Sequence, residues 1–321
     1  MGVRIGFMAQ LIFPGLLLMA VNGFSQSSIP LYETQVPNSI PTKDLYDTVP
    51  RKDPVSGEVQ LYLVPKTVMP TLTVFEPPAG KATGIGVIVC SGGSYKGVAD
   101  GVEGGPAARK LADAGITAFL LHYRVPRSDL MLKKEFGPLE DLQRAIQYVR
   151  EQAGTFAIDP THLGVMGFSA GGHLVSTIGT HLDSTYIENP KHTNLRPDFM
   201  ILAYPVISFS DSLTHVDSRR NLIGPDILPE KIREYSNELQ VTTWTPPTFL
   251  THALDDTVVK IANSLCFAAA LEQKKVPVQL FIYAKGGHGF GVYNKTADRQ
   301  WIDSCIEWIK SAPWGGLSAG R

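Results

Sequence analysis

Seven short apolar runs, four to six residues each, recur between residues 72 and 283, and most are separated by a stretch long enough for one helix. They lie at 72–75, 85–90, 116–121, 163–166, 199–203, 248–252 and 278–283. Several are apolar without alternation. Strands buried on both faces look like this, and parallel sheets covered by crossover helices contain such strands. The stretches between them carry helical period. Gly137-Pro138 opens one, with Pro where a first-turn N–H has no partner to lose. Leu139, Leu142, Ala145, Ile146 and Val149 then recur at three- and four-residue steps and make one apolar stripe. Ile261, Leu265, Ala268 and Ala269 repeat the pattern, as do Ile302, Cys305, Ile306 and Ile309 beside Trp301 and Trp308. This alternation predicts an α/β chain with a doubly wound, mostly parallel sheet and helices on both faces. A length of 321 residues suits one large domain with its own core, and no Pro/Ser/Gly-rich linker divides it.

The first 25 residues differ from the rest. Arg4 precedes an apolar stretch at about 11–21, followed by the small residues Gly23 and Ser25. This is the layout of a secretory signal cut between Ser25 and Gln26, which implies export to the periplasm or beyond. A permanent membrane anchor needs ~20 unbroken apolar residues, and Pro14-Gly15 interrupts this stretch. Residues 26–70 are Pro-rich and weakly periodic, as in an extended arm, and the main domain is expected over 71–312. Within it, 206–245 is expected to be an irregular insertion with one short helix at 230–235, placed to roof a site. The cysteines Cys90, Cys266 and Cys305 are odd in number, lack metal-ligand spacing and fall on apolar faces, as buried free thiols do. Lys and Arg total 29 against 30 Asp and Glu, with no polybasic run, so nucleic acid and anionic membrane are excluded as expected partners. The expected ligand is a neutral or weakly charged small molecule.

The sharpest chemical signal is Gly167-Phe168-Ser169-Ala170-Gly171-Gly172, which follows the run at 163–166 and precedes a helical stretch at 173–181. A Gly-x-Ser-x-Gly motif can be a mere flexible turn. Between a strand and a helix, however, it holds a serine on a sharp elbow with its hydroxyl exposed. The helix N-terminus behind it favours developing negative charge. A serine needs a base to take its proton, and the base needs a carboxylate to hold its tautomer. On such sheets the chain order is serine, acid, histidine. After 248–252 come the adjacent Asp255 and Asp256, only one of which can face a given histidine. After 278–283 comes His288, inside Lys285-Gly-Gly-His288-Gly-Phe-Gly291. Both segments leave strand C-terminal ends, where open α/β sheets gather their sites. His173, just past the elbow, is expected to pack or cap there. His122, His162, His181, His192 and His215 lack a glycine-loop setting, and His252 precedes the acid. An oxyanion would take one N–H from Ala170 and another from Gly93 or Ser94, in Ser91-Gly92-Gly93-Ser94-Tyr95 after the run at 85–90. Tyr95, closing that loop, is expected to face substrate. This chemistry calls for no cofactor and no metal.

With these motifs the chain resembles the bacterial acetyl-xylan-esterase-like and feruloyl-esterase-like α/β-hydrolases, relatives of dienelactone hydrolases and prolyl-oligopeptidase catalytic domains. The likeness covers about residues 71–310. It rests on Ser91-Gly-Gly-Ser-Tyr95, His122-Tyr-Arg124, Pro138-Leu-Glu-Asp141, the segment 164–173 around Ser169, Pro246-Pro-Thr-Phe-Leu250 with Asp255-Asp256, and Gly286-Gly-His-Gly-Phe290. The resemblance implies an α/β-hydrolase fold and a serine esterase working through an acyl-enzyme on O-acetylated carbohydrate or small short-acyl esters. It also implies Asp255 as the acid, because the family pattern Asp-x-x-Val is completed by Val258. The oxyanion loop departs from the family's Pro-Gly-Gly-Gly-Tyr, with Ser91 and Ser94 in place of two of those residues. The alternatives are a serine peptidase of prolyl-oligopeptidase type, for whose propeller the chain has no room, and an inactive carbohydrate-binding homologue.

Overall fold

Apolar, β-branched segments form the sheet, and the segments with helical period cover it. The computed structural model describes residues 28–42, 49–52, 59–63, 67–225 and 228–311, so the expected signal at 1–25 lies outside the described residues. In chain order the elements begin with β1 (Ser28–Pro30), β2 (Val49–Lys52), β3 (Val59–Leu63), β4 (Thr71–Phe75), β5 (Gly86–Cys90), α1 (Gly104–Asp113) and β6 (Thr117–His122). They continue with α2 (Gly137–Glu151), β7 (Leu163–Phe168), α3 (Ser169–Thr180), β8 (Phe199–Ala203), α4 (Val216–Ile223) and α5 (Pro229–Glu234). The last are β9 (Thr248–Ala253), α6 (Ala262–Gln273), β10 (Val278–Tyr283) and α7 (Trp301–Ser311). Eight strands form one sheet in the order β1-β4-β6-β5-β7-β8-β9-β10. β1 and β4 pair antiparallel with their neighbours, and every pair from β6 to β10 is parallel. β2 and β3 pair separately.

β5, β7, β8 and β9 are buried throughout, which is why their sequences do not alternate. On one face the stripe Leu139, Leu142, Ala145, Ile146 and Val149 of α2 packs with Leu174 and Val175 of α3 and Phe267 and Leu271 of α6. On the other, Ala107, Ala108 and Leu111 of α1 meet Trp301, Ile302, Cys305 and Ile309 of α7. The register sets Cys90 beside Gly167, Phe168 beside Ala203, and Tyr283 beside Ala253. The loops that follow β5, β7, β8, β9 and β10 therefore leave the sheet on one edge. No helix among the described residues is long and apolar enough to cross a membrane.

The segment 206–245 is more ordered than its sequence suggested. Besides α5 it holds α4 and a 3₁₀ turn at Asn237–Leu239, and Val206, Ile207 and Phe209 are buried. Asparagines anchor it. Asn263 Oδ1 accepts the N–H groups of Ile207 and Ser208 at 3.0 Å each, and Asn237 Nδ2 donates to Ser176 Oγ at 2.8 Å and Thr177 Oγ1 at 3.0 Å. Single polar anchors leave no periodicity to read.

Arg124 is the largest charged group in the core. It donates to Asp141 and Glu140 at 2.7 and 2.9 Å and to the carbonyl of Pro37 at 2.7 Å, with its side chain 1% exposed. Truncating one partner of such a cluster leaves buried charge uncompensated. Arg124→Met is therefore expected to lose ~3–5 kcal/mol in urea denaturation; a loss under ~1 kcal/mol would contradict this account of the cluster.

Candidate functional site

Ser169 sits where β7 turns into α3, with φ +50°, the left-handed region that side chains avoid. Close backbone approach makes the flanking glycines necessary. A methyl group on Gly167 would stand 2.3 Å from the Gly171 carbonyl oxygen, and one on Gly171 would stand 2.3 Å from that of Cys90. Strain of this kind persists only where surrounding structure enforces it. Here it lifts the serine hydroxyl toward the loop after β10, where it donates to His288 Nε2 at 2.9 Å.

The other ring nitrogen, Nδ1, donates to Asp256 Oδ2 at 2.7 Å. An ionised carboxylate only accepts, so it sets the tautomer that leaves Nε2 free to take the serine proton. The partner is Asp256, not Asp255 as the family spacing implied. After β9 ends at Ala253 the chain turns outward, leaving Leu254 59% exposed and Asp255 exposed, and Asp256 points back inward at 6%. Asp255 Oδ1 instead accepts the N–H of Gly287 at 2.8 Å, bracing the histidine loop from outside. Counting back from Val258 cannot register which way a tight turn throws two adjacent side chains.

Asp256 is held from every side. Its Oδ1 accepts the N–H groups of Val258 and Val259 at 2.9 Å each. Its Oδ2 accepts from His252 Nε2 at 3.1 Å as well as from His288. His252 is fully buried, donates also to the Val259 carbonyl at 2.9 Å, and meets Ser264 Oγ at 2.8 Å through Nδ1. Burial alone would raise the Asp256 pKa. The bonds from His252 and His288, the charge of His288 and the Val259 N–H outweigh it and hold the carboxyl well below the usual range.

The loop after β5 runs beside the elbow. Gly93, Ser94 and Tyr95 all have positive φ, at +128°, +58° and +56°. The loop is pinned by Ala99 N–H on the Gly92 carbonyl at 3.0 Å and by Asn221 Nδ2 of α4 on the Ser94 carbonyl at 2.9 Å. The Gly92 N–H donates to Glu103 Oε2 at 2.6 Å, whereas those of Gly93 and Ser94 meet no acceptor among the described residues. Ala170, in the first turn of α3, has no intrahelical partner for its N–H. Tyr95, expected to face substrate, is instead a core residue. Its left-handed backbone turns the ring into the core at 2% exposure, and its hydroxyl donates to His173 Nδ1 at 3.0 Å. His173 in turn donates Nε2–H to the Tyr235 carbonyl at 2.9 Å and stacks on Phe209 with centroids 4.3 Å apart. Burial lowers its pKa to about 4, so it is a neutral packing residue.

Sequence reasoning did not single out His252, Glu103 or Tyr204 for this site. The rule of chain order that set His252 aside as a base has no place for a histidine that braces the acid.

A serine on the elbow after the central strand of this sheet, at the edge where a histidine and an acid arrive from later loops, defines an α/β-hydrolase. The chain belongs to the BD-FAE family, whose profile matches residues 72–271. A crystal structure of the acetyl ester-xyloside bifunctional hydrolase from Caldicellulosiruptor lactoaceticus is similar at 35% identity, covering 89% of this chain and 96% of that one with a TM-score of 0.70. The acetylxylan esterase of Xylanibacter ruminicola is 34% identical over 74% of this chain and 47% of its own length. Endo-1,4-beta-xylanase B of Butyrivibrio fibrisolvens is 37% identical over 65% of this chain and 33% of its own. The chain thus spans about a third to a half of the length of these two curated relatives.

Proposed function

We propose that the protein hydrolyses carboxylic esters through an acyl-enzyme on Ser169, and that its ester is an O-acetylated carbohydrate. The observation that carries this reading is the continuous line of bonds from the Ser169 hydroxyl through His288 to Asp256, at 2.9 and 2.7 Å. In the first step Ser169 Oγ attacks the ester carbonyl carbon while His288 Nε2 takes its proton and Asp256 stabilises the imidazolium. The N–H of Ala170 and one from Gly93 or Ser94 would hold the oxyanion. On collapse the C–O bond to the alcohol breaks, and the alcohol leaves with the proton from His288. Water, deprotonated by His288, then attacks the acyl-serine and releases the acid and a free Ser169. The carbohydrate is supported by the acetyl ester-xyloside hydrolase and the acetylxylan esterase, whose matches cover 89% and 74% of this chain. Export is supported by the signal-like pattern at 1–25.

The acyl group should be short. α4, which bonds the loop after β5 through Asn221, reads Val-Asp-Ser-Arg-Arg-Asn-Leu-Ile and buries only Ser218 and Leu222. So polar a neighbour offers little apolar surface, and each added methylene gains ~0.8 kcal/mol only where it is buried. Across p-nitrophenyl acetate, butyrate and octanoate, kcat/KM is expected to fall by about 10-fold or more, the equivalent of ~1.4 kcal/mol. Acetate should be released from acetylated xylan. A higher kcat/KM for octanoate than for acetate, or xylan left fully acetylated, would overturn this assignment.

A further inference from the structure

Glu103 stands just before α1 and is 5% exposed. Its Oε2 accepts the Gly92 N–H at 2.6 Å, and its Oε1 accepts the Tyr204 hydroxyl at 3.1 Å. The Tyr204 oxygen in turn accepts the Gly291 N–H at 3.1 Å, and the Tyr204 ring meets that of His288 edge-on with centroids 4.9 Å apart. One buried carboxyl thereby links the loop beside Ser169 to the loop that carries the histidine. The fit is close. A methyl group on Gly92 would lie 2.8 Å from Ser169 Cβ and 2.9 Å from Glu103 Oε2, and one on Gly291 would lie 2.7 Å from the Val102 carbonyl oxygen.

Such an arrangement is costly to keep. Tyr204 holds φ +37°, strained for a residue with a side chain. Burial pushes the Glu103 pKa up, against the opposing bond from Gly92, the charge of His288 and the bond from Tyr204. A carboxyl that served only to fill space would be replaced at no loss by an apolar side chain. Every oxygen of Glu103 instead meets a donor from a different active-site loop.

We propose that Glu103 is a positioning residue, fixing the spacing between the 92–94 loop and the His288 loop so that N–H donors and imidazole meet the same carbonyl. The inference rests on the ester-hydrolase reading above. It assigns Tyr204 as the second half of the same brace.

The test compares Glu103→Ala, Glu103→Gln and Tyr204→Phe with the wild-type protein in three readouts. These are kcat and KM on p-nitrophenyl acetate, the melting temperature, and the downfield proton signal of His288 Nδ1–H by NMR. Displacing catalytic groups by about 1 Å costs ~100-fold, so Glu103→Ala should lower kcat by about that factor with KM nearly unchanged. Glu103→Gln, whose amide oxygen can still accept from Gly92, should recover most of the loss. Tyr204→Phe should lose about 10-fold and shift the His288 signal. Wild-type kcat and an unshifted signal in Tyr204→Phe would overturn the proposal, even if Glu103→Ala fails to fold. Failure of the wild-type protein to cleave any ester would instead overturn the hydrolase reading, and the NMR signal would still decide whether Glu103 positions His288.

Discussion

Asp256→Asn is expected to lower kcat by about 10⁴ while the protein stays folded, the size of loss that a wrong imidazole tautomer brings. The bonds of Asp256 explain why an isosteric amide fails. Its Oδ2 accepts from two histidines and its Oδ1 from two backbone N–H groups. An asparagine offers only one oxygen. If that oxygen stays with Val258 and Val259, the amide nitrogen points a donor at His288 and selects the tautomer whose Nε2 carries the proton. If it turns to the histidines, two backbone donors face a third. Asp255→Asn should change kcat by no more than about 2-fold, because the bond this exposed residue accepts from Gly287 can pass to an amide oxygen. Steady-state kinetics with thermal melts for both variants decide the matter. An inactive Asp255→Asn beside an active Asp256→Asn would contradict the geometry.

Ser169→Ala should remove at least ~10⁴ of kcat and change stability by less than ~1 kcal/mol, since only one hydrogen bond in the folded state is lost. Alanine keeps the Cβ, so the positive φ of the elbow costs the same as before. Combining Ser169→Ala with Asp256→Asn should add almost nothing to the loss, because the two act as one unit and the effects of such units do not multiply. A double variant far below Ser169→Ala would mean that Asp256 serves some second reaction.

Much of this fold is legible in sequence for one reason. Strands covered on both faces must be apolar throughout, so β5, β7, β8 and β9 stand out, and α2 and α7 show the matching stripes. α1 begins Gly-Gly-Pro and packs through Ala107, Ala108, Leu111 and Ala112, mostly small residues. At the site, a motif locates Ser169 and a glycine loop locates His288. The acid depends on the direction of a turn two residues long, which no spacing encodes. Tyr95 adjoins the loop of N–H donors, as a substrate contact would, yet its own φ of +56° turns it into the core. Glu103 and Tyr204 carry no local signal, since the bond between them spans 101 residues of chain.

Reaction with a fluorophosphonate, followed by intact-protein and peptide mass spectrometry, reads out directly whether Ser169 is an activated nucleophile. Such a reagent forms a stable adduct only with a serine that a base has activated. One adduct per chain is expected, on the peptide holding Ser169, with no adduct in Ser169→Ala and much slower labelling in Asp256→Asn. An unlabelled Ser169 in a folded protein, or labelling that persists in Ser169→Ala at the wild-type rate, would contradict this role of Ser169.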